Sequence, residues 1–245
     1  MTRTVFLAGA TGAIGRRLGP MLLAAGWRVV GTTRVPARAA QLAAIGVEPV
    51  VVDVYDAAAL LRAVAATAPE IVMHQLTDLP AGLDPARMAA AGLANARVRE
   101  AGTRNLVAAA IAAGASRLVA QSIAFAYADG PLPHAETDAL AVAAEGRAGI
   151  TARGVASLEP QVLAAPLAGL VLRYGRLYGP GTGVDTPPAA APLHVDAAAH
   201  AAVLAAEHGA PGVYNLAEDD GTVLSEHAKA EFGWSAAWRW PQPGA

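Results

Sequence analysis

The run Gly9-Ala10-Thr11-Gly12-Ala13-Ile14-Gly15 comes directly after the apolar stretch Thr4–Ala8 and opens an amphipathic pattern over Ala13–Ala25. A strand that turns through three glycines into a helix sets that helix's free N–H groups and positive dipole end beside an unshielded backbone, an arrangement that accepts a pyrophosphate. Gly12 permits close backbone approach and Gly15 close helix packing, and no bulky group blocks the turn. Glycine turns also serve as plain bends, so the reading depends on the rest of the chain.

Beyond the turn, short apolar runs alternate with longer alanine-rich stretches at helical spacing, the pattern of βαβ units and a parallel sheet. Strands are predicted at Thr4–Ala8, Arg28–Thr32, Pro49–Val52, Glu70–His74, Arg117–Gln121 and Gly169–Arg173, with a further one at Val213–Leu216. Helices are predicted at Ala13–Ala25, Ala37–Ala44, Asp56–Thr67 with a capping aspartate, Ala89–Ala113 and Ala152–Ala165. Pro131–Gly149 reads as a loop over one end of the sheet, Gly179–Pro192 as an irregular insert, and Trp238–Ala245 as a loosely held tail. The fold expected is α/β, a Rossmann-type doubly wound parallel sheet in a single domain spanning residues 1–245, with residues from about 174 onward contributing a small C-terminal substrate lobe.

Composition excludes several function classes. The formal net charge is -2 with no basic block, which removes the electrostatic footprint of nucleic-acid binding. There is no cysteine, hence no disulfide framework, thiolate metal site or cysteine nucleophile. Hydrophobic residues reach 54 % but are largely alanine, and no apolar run approaches the roughly 18 residues that span a bilayer. The first strand enters its glycine turn too early for a signal peptide, so a cytoplasmic protein is expected. The six histidines lack paired ligand spacing, and no metal is expected.

The end of the second strand bears on which dinucleotide is held, since an acid there grips the adenosine ribose whereas an arginine suits a 2′-phosphate. Here it reads Thr32-Thr33-Arg34, with Arg38 close behind and no acid, which favours NADP over NAD, although an exposed arginine is by default a solvated charge. Asp53, succeeded by Val54, ends the third strand and either accepts from the adenine amino group or caps the next helix.

With these residues in hand, the chain resembles the extended short-chain dehydrogenase/reductase superfamily, in particular the NAD-dependent epimerase/dehydratase family. Further marks are Gly102-Thr103-Arg104-Asn105-Leu106, Leu172-Arg173 and then Tyr178-Gly179-Pro180-Gly181, His194-Val195-Asp196 and Gly212-Val213-Tyr214-Asn215. The resemblance implies a cleft beside the nicotinamide, with Gly9, Thr11, Gly12, Ala13, Ile14 and Gly15 around the phosphates and Gln75, Leu76, Thr77 and Ser122 along the cofactor. It also implies a small-molecule substrate and a homodimer through the Ala89–Ala113 helix and the one after Gly149.

The chain departs from that family where a Tyr-x-x-x-Lys pair normally exchanges a proton as hydride moves. Alignment on Glu159 places Thr151 at the tyrosine and Val155 at the lysine, and the sole lysine is Lys229. The residue usually asparagine before the Gly-Thr of the long helix is Arg99, and either Ser122 or Ile123 takes the helper-hydroxyl position. Tyr127 is the best substitute proton donor, with packing over the cofactor as the alternative role, and Ser122 is its catalytic companion. The function expected is an NADP(H)-dependent oxidoreductase moving hydride to or from a small apolar or aromatic carbonyl or alcohol. The alternatives are a non-catalytic NADP(H)-binding sensor and a redox-neutral lyase or isomerase.

Overall fold

The computed structural model describes residues 3–80 and 84–241. In chain order the elements are β1 (Thr4–Ala8), α1 (Gly15–Ala24), β2 (Arg28–Thr33), α2 (Ala39–Ala44), β3 (Glu48–Val51), α3 (Ala57–Thr67), β4 (Ile71–His74), α4 (Pro85–Arg97) and α5 (Thr103–Ala112). They continue with β5 (Arg117–Ile123), α6 (Gly146–Leu163), β6 (Ala168–Tyr174), β7 (Arg176–Tyr178), β8 (Pro192–His194), α7 (Val195–Glu207), β9 (Gly212–Leu216) and α8 (Glu226–Phe232). Seven strands form one parallel sheet in the order β3-β2-β1-β4-β5-β6-β9, and β7 and β8 pair as a small separate ribbon.

Strands covered on both faces need continuous apolar sequence, which is why β1 and β4 are buried at every position. One face packs Leu7, Val29 and Leu172 against Leu18 and Leu22 of α1 and the alanines of α7. The other packs Phe6, Val72 and Leu118 against Leu60 of α3, Leu106 of α5 and Leu158 of α6. The alanine-rich helices thus sit close to the sheet, and the large side chains between the layers supply about 1.5–3 kcal/mol each on burial. Strand order reverses between β1 and β4, and the crevice outside their carboxyl ends is where a doubly wound sheet receives its ligand.

Several boundaries move. The long helix begins at Pro85, capped by Asp84, and is broken by a π-turn over Val98–Gly102 before α5. Helix α6 starts at Gly146, inside the stretch read as loop. The C-terminal stretch is only partly a lobe: β9 joins the main sheet beside β6, and α7 packs on α1. The tail is not loose through Trp240. Trp238 stacks on His200 at 4.1 Å, and the Trp240 N–H donates to the Asp196 carboxylate at 3.2 Å. Buried aromatic area and a charge-assisted hydrogen bond hold what proline and glycine content made look free; residues 242–245 lie outside the described residues.

Candidate functional site

The glycine turn folds on itself where β1 ends. The Gly12 N–H donates to the Gly9 carbonyl at 3.0 Å, and the Gly9 N–H donates to Thr32 Oγ1 at 3.2 Å, tying the turn to the end of β2. Gly9 has φ +91°, and a Cβ on it would lie 2.4 Å from the Gln75 carbonyl oxygen. A Cβ on Gly15 would lie 2.2 Å from the Gly9 carbonyl oxygen, so helix and turn touch backbone to backbone. No side chain caps the start of α1, and within its first turn the Arg16 and Arg17 N–H groups bond back to the Gly12 and Ile14 carbonyls at 3.0 and 2.9 Å.

A cavity of about 190 Å³ opens from this turn along the ends of β2, β3 and β4. Gly9, Thr11 and Gly12 form its floor, while Ala13, Ile14 and Gly15 lie outside its lining, Ile14 and Gly15 buried beneath the turn. Thr32, Thr33, Arg34 and Arg38 edge one side, and Gln75, Leu76 and Thr77 the other. Val54, Leu60, Val98 and Leu106 make an apolar slot of a kind that suits a purine ring, and Tyr55 closes it with the Arg97 guanidinium 4.1 Å over its face. Sequence reasoning missed Tyr55, Val98 and Asp78 in this wall.

Charge is concentrated at the cavity mouth. The Arg34 guanidinium donates to both oxygens of Asp78, at 2.6 and 3.4 Å, which raises its pKa further against a modest cost of burial. Asp53 also edges the cavity, and its Oδ1 accepts from the Tyr55 N–H at 2.9 Å. The helix cap is Asp56 instead, whose carboxylate takes the Ala59 N–H at 2.9 Å.

The residues expected to move a proton are engaged elsewhere. Ser122 is fully buried, donates to Glu159 at 2.8 Å and does not line the cavity. Glu159 is gripped by Arg173 through two bonds of 2.8 and 2.7 Å. Burial opposes the Arg173 charge, and the grip on Glu159 outweighs it, so its pKa rises. The Tyr127 phenol donates to Asn215 at 2.6 Å and accepts from Arg173 at 2.8 Å, while its ring stacks on His134. Burial raises the Tyr127 pKa despite these partners. Neither hydroxyl faces the cavity, and both are parts of a buried polar network linking β5, β6, β9 and α6. On α6, Thr151 is half-buried and Val155 fully buried.

His74, at the end of β4, ties the cofactor side to the helix behind it. Its Nδ1 accepts from the Leu76 N–H at 3.3 Å, so Nε2 carries the proton and donates to Thr103 Oγ1 at 3.0 Å. Burial, then the nearby Arg99 charge, push its pKa down to about 4. A folded pKa below the unfolded value of about 6.5 means the unfolded chain takes the proton first as pH falls. Stability is therefore full above pH 6.5 and drops by about 3 kcal/mol on the way to pH 4, at roughly 1.4 kcal/mol per unit. Urea unfolding across that range should show the slope in the wild type and a flatter one in His74→Gln. Equal slopes would contradict it.

A doubly wound sheet with a glycine-turn cavity at its switch point defines a dinucleotide-binding protein. A profile of the NAD(P)H-binding family matches residues 9–151, and the chain belongs to that family. It is 43 % identical over 237 residues to a 3-diazoavenalumate denitrifying reductase from a Streptomyces species, covering 88 % of this chain and 76 % of that protein. Among solved structures, a UDP-glucose 4-epimerase from Bifidobacterium longum with NAD+ and UDP superposes with TM-score 0.75 at 18 % identity, covering 96 % and 94 % of the two chains. A UDP-glucose 4-epimerase from Thermotoga maritima with UDP-glucose gives TM-score 0.72 at 17 % identity over 94 % and 93 %. At such identity the likeness is one of fold. Among the described residues no helix is long and apolar enough to cross a membrane, and no cluster of three or more His, Cys, Asp or Glu is placed to hold a metal ion.

Proposed function

We propose that this protein is an NADP(H)-dependent reductase that delivers hydride to a small arenediazonium compound with release of dinitrogen. The observation that carries the reading is the engagement of the expected proton donor: Tyr127 is held by Arg173 and Asn215, and Thr151 and Val155 align where tyrosine and lysine would act. A carbonyl acceptor needs a proton on oxygen as hydride reaches carbon. A diazonium does not: hydride on its terminal nitrogen gives a diazene, which loses N2 and leaves the hydrogen on carbon, with no proton consumed. The reductase relative is named for a diazo substrate and for loss of its nitrogen.

The residues fit the cofactor. The glycine cradle admits a backbone-close pyrophosphate only because Cβ atoms are missing, and Gln75, on the cavity wall, has an enclosed carboxamide oxygen without a partner. When bound, the reduced nicotinamide supplies the hydride. The chain's part is to hold the pyrophosphate on α1, to set the adenosine in the apolar slot and to pair Arg34 with the 2′-phosphate in exchange for Asp78. That exchange limits the gain, since Asp78 must release Arg34.

Arg34→Ala should weaken NADPH about tenfold while leaving NADH unchanged, and Asp78→Asn should tighten NADPH, since a charge-assisted bond is worth about 1.5–3 kcal/mol before this offset. Fluorescence titration checks both; unchanged NADPH affinity in Arg34→Ala would remove the 2′-phosphate assignment. The activity test uses benzenediazonium and NADPH deuterated at the transferring carbon. Deuterium in the arene with N2 release is expected, whereas turnover confined to a carbonyl panel would sink the diazo reading. Cofactor binding with no turnover on either set would leave the sensor role in its place.

A further inference from the structure

Arg99 is a buried cation with almost no protein partner. It lies in the π-turn between α4 and α5, a helix irregularity that recurs at functional sites. It is only 6 % exposed, and its guanidinium makes one long hydrogen bond, from Nη1 to the Thr151 carbonyl at 3.4 Å. The carboxylate that acts on its charge, Glu159, is already spent on Arg173 and Ser122. Its remaining N–H groups are not sealed in: the enclosed side-chain polar atoms without a hydrogen bond among the described residues belong to Trp27, Gln75, Asp196, His200 and Asn215. Burial accordingly pulls the Arg99 pKa down to about 10.

The surroundings are arranged to admit this side chain. Gly154 of α6 lies against it, and a Cβ there would stand 3.3 Å from Arg99 Cδ and 3.2 Å from Ala96 Cα. Arg99 touches the turn of α6 that holds Thr151 and Val155 and acts on His74 at the end of β4, so it sits at the ligand-bearing end of the sheet. It does not line the cavity of Gly12 and Arg34, so the cofactor's phosphates are accounted for elsewhere.

We infer that Arg99 anchors a carboxylate of the substrate beside the centre that receives hydride. The inference rests on the reductase reading and deepens it by assigning the substrate an anionic group. A guanidinium offers five N–H donors in a planar fork that matches a carboxylate, and an uncompensated buried cation gains most from an opposite charge. Neutral ribose hydroxyls would bond to it without balancing the charge.

The test is a titration of the NADPH-loaded full chain with benzoate and cinnamate, and with the corresponding amides as neutral controls, read by tryptophan fluorescence and thermal shift. The wild type should bind the carboxylates at least tenfold more tightly than the amides. Arg99→Met should abolish that preference with NADPH affinity retained, and Arg99→Lys should keep part of it. Free Arg99→Met should melt no lower than the wild type, because a stranded charge has gone; a purely structural arginine would give a lower melting temperature. Carboxylates and amides binding alike to the wild type, no carboxylate binding, or a preference that survives Arg99→Met would each overturn the inference. These are binding measurements, so an Arg99-dependent preference without hydride transfer to benzenediazonium would count against the reductase reading alone.

Discussion

Glu159→Leu is expected to lower the unfolding free energy by about 3–5 kcal/mol, and Arg173→Met by a similar amount. Each change strands the opposite charge: Arg173 is 4 % and Glu159 5 % exposed, so water cannot solvate whichever remains. Losing Glu159 also removes the acceptor of Ser122, and losing Arg173 removes a donor to Tyr127 and to the Glu136 carbonyl. At roughly 2–4 °C per kcal/mol for a chain of this size, the melting temperature should fall by about 10 °C. The double variant Glu159→Leu/Arg173→Met should recover much of the loss, since two apolar groups replace a pair whose desolvation was costly. Urea unfolding of the four proteins measures the coupling; single variants within about 1 kcal/mol of wild type would show that the pair does not act as described.

Two glycines three residues apart should fail in opposite ways. Gly9→Ala places a methyl group 2.4 Å from the Gln75 carbonyl at a φ of +91°, so the turn itself must shift, at about 3 kcal/mol or more. Gly12→Ala meets only the Gly9 carbonyl oxygen, at 3.3 Å, and should leave the free protein close to wild type in stability. Its methyl group instead takes the place where a pyrophosphate would approach the backbone. Dinucleotide affinity should fall roughly a hundredfold, equivalent to about 2.7 kcal/mol. Thermal melting without ligand, and then NADPH titration, separates the two effects. Gly12→Ala binding NADPH as the wild type does would move the phosphates away from this turn.

Much of the frame was legible because its signals are local. An apolar run ending in a glycine turn, and aspartates or glycines at helix ends, sit within a few residues of the structure they determine, so β1, α1 and Asp56 are read directly. Arg34 and Gln75 are placed by their positions at the carboxyl ends of strands. The features that escaped depend on contacts far along the chain. Asp78 reaches Arg34 only when β2 and β4 flank β1, and Tyr127 meets Arg173 and Asn215 only when β6 and β9 are side by side. Ser122 shows a strand's particular ambiguity: neighbouring side chains point to opposite faces, so a register uncertain by one residue exchanges cleft for core. Arg99 was visible as a departure from the usual asparagine, but its lack of partners is a property of packing. In the tail the tryptophans were the signal, outweighed by the prolines and glycine around them.

The pairing of α1 with α7 reaches back to the ribosome. Helix α1 emerges well before α7, yet its apolar side is covered by α7, which is itself sealed by Trp234 and Trp238 from still further along. At about 5–20 residues per second, that side waits on the order of ten seconds or more before its cover is synthesised. During this interval the nascent chain carries an uncovered greasy surface beside its glycine turn, and slower translation lengthens its exposure to holding chaperones and to aggregation.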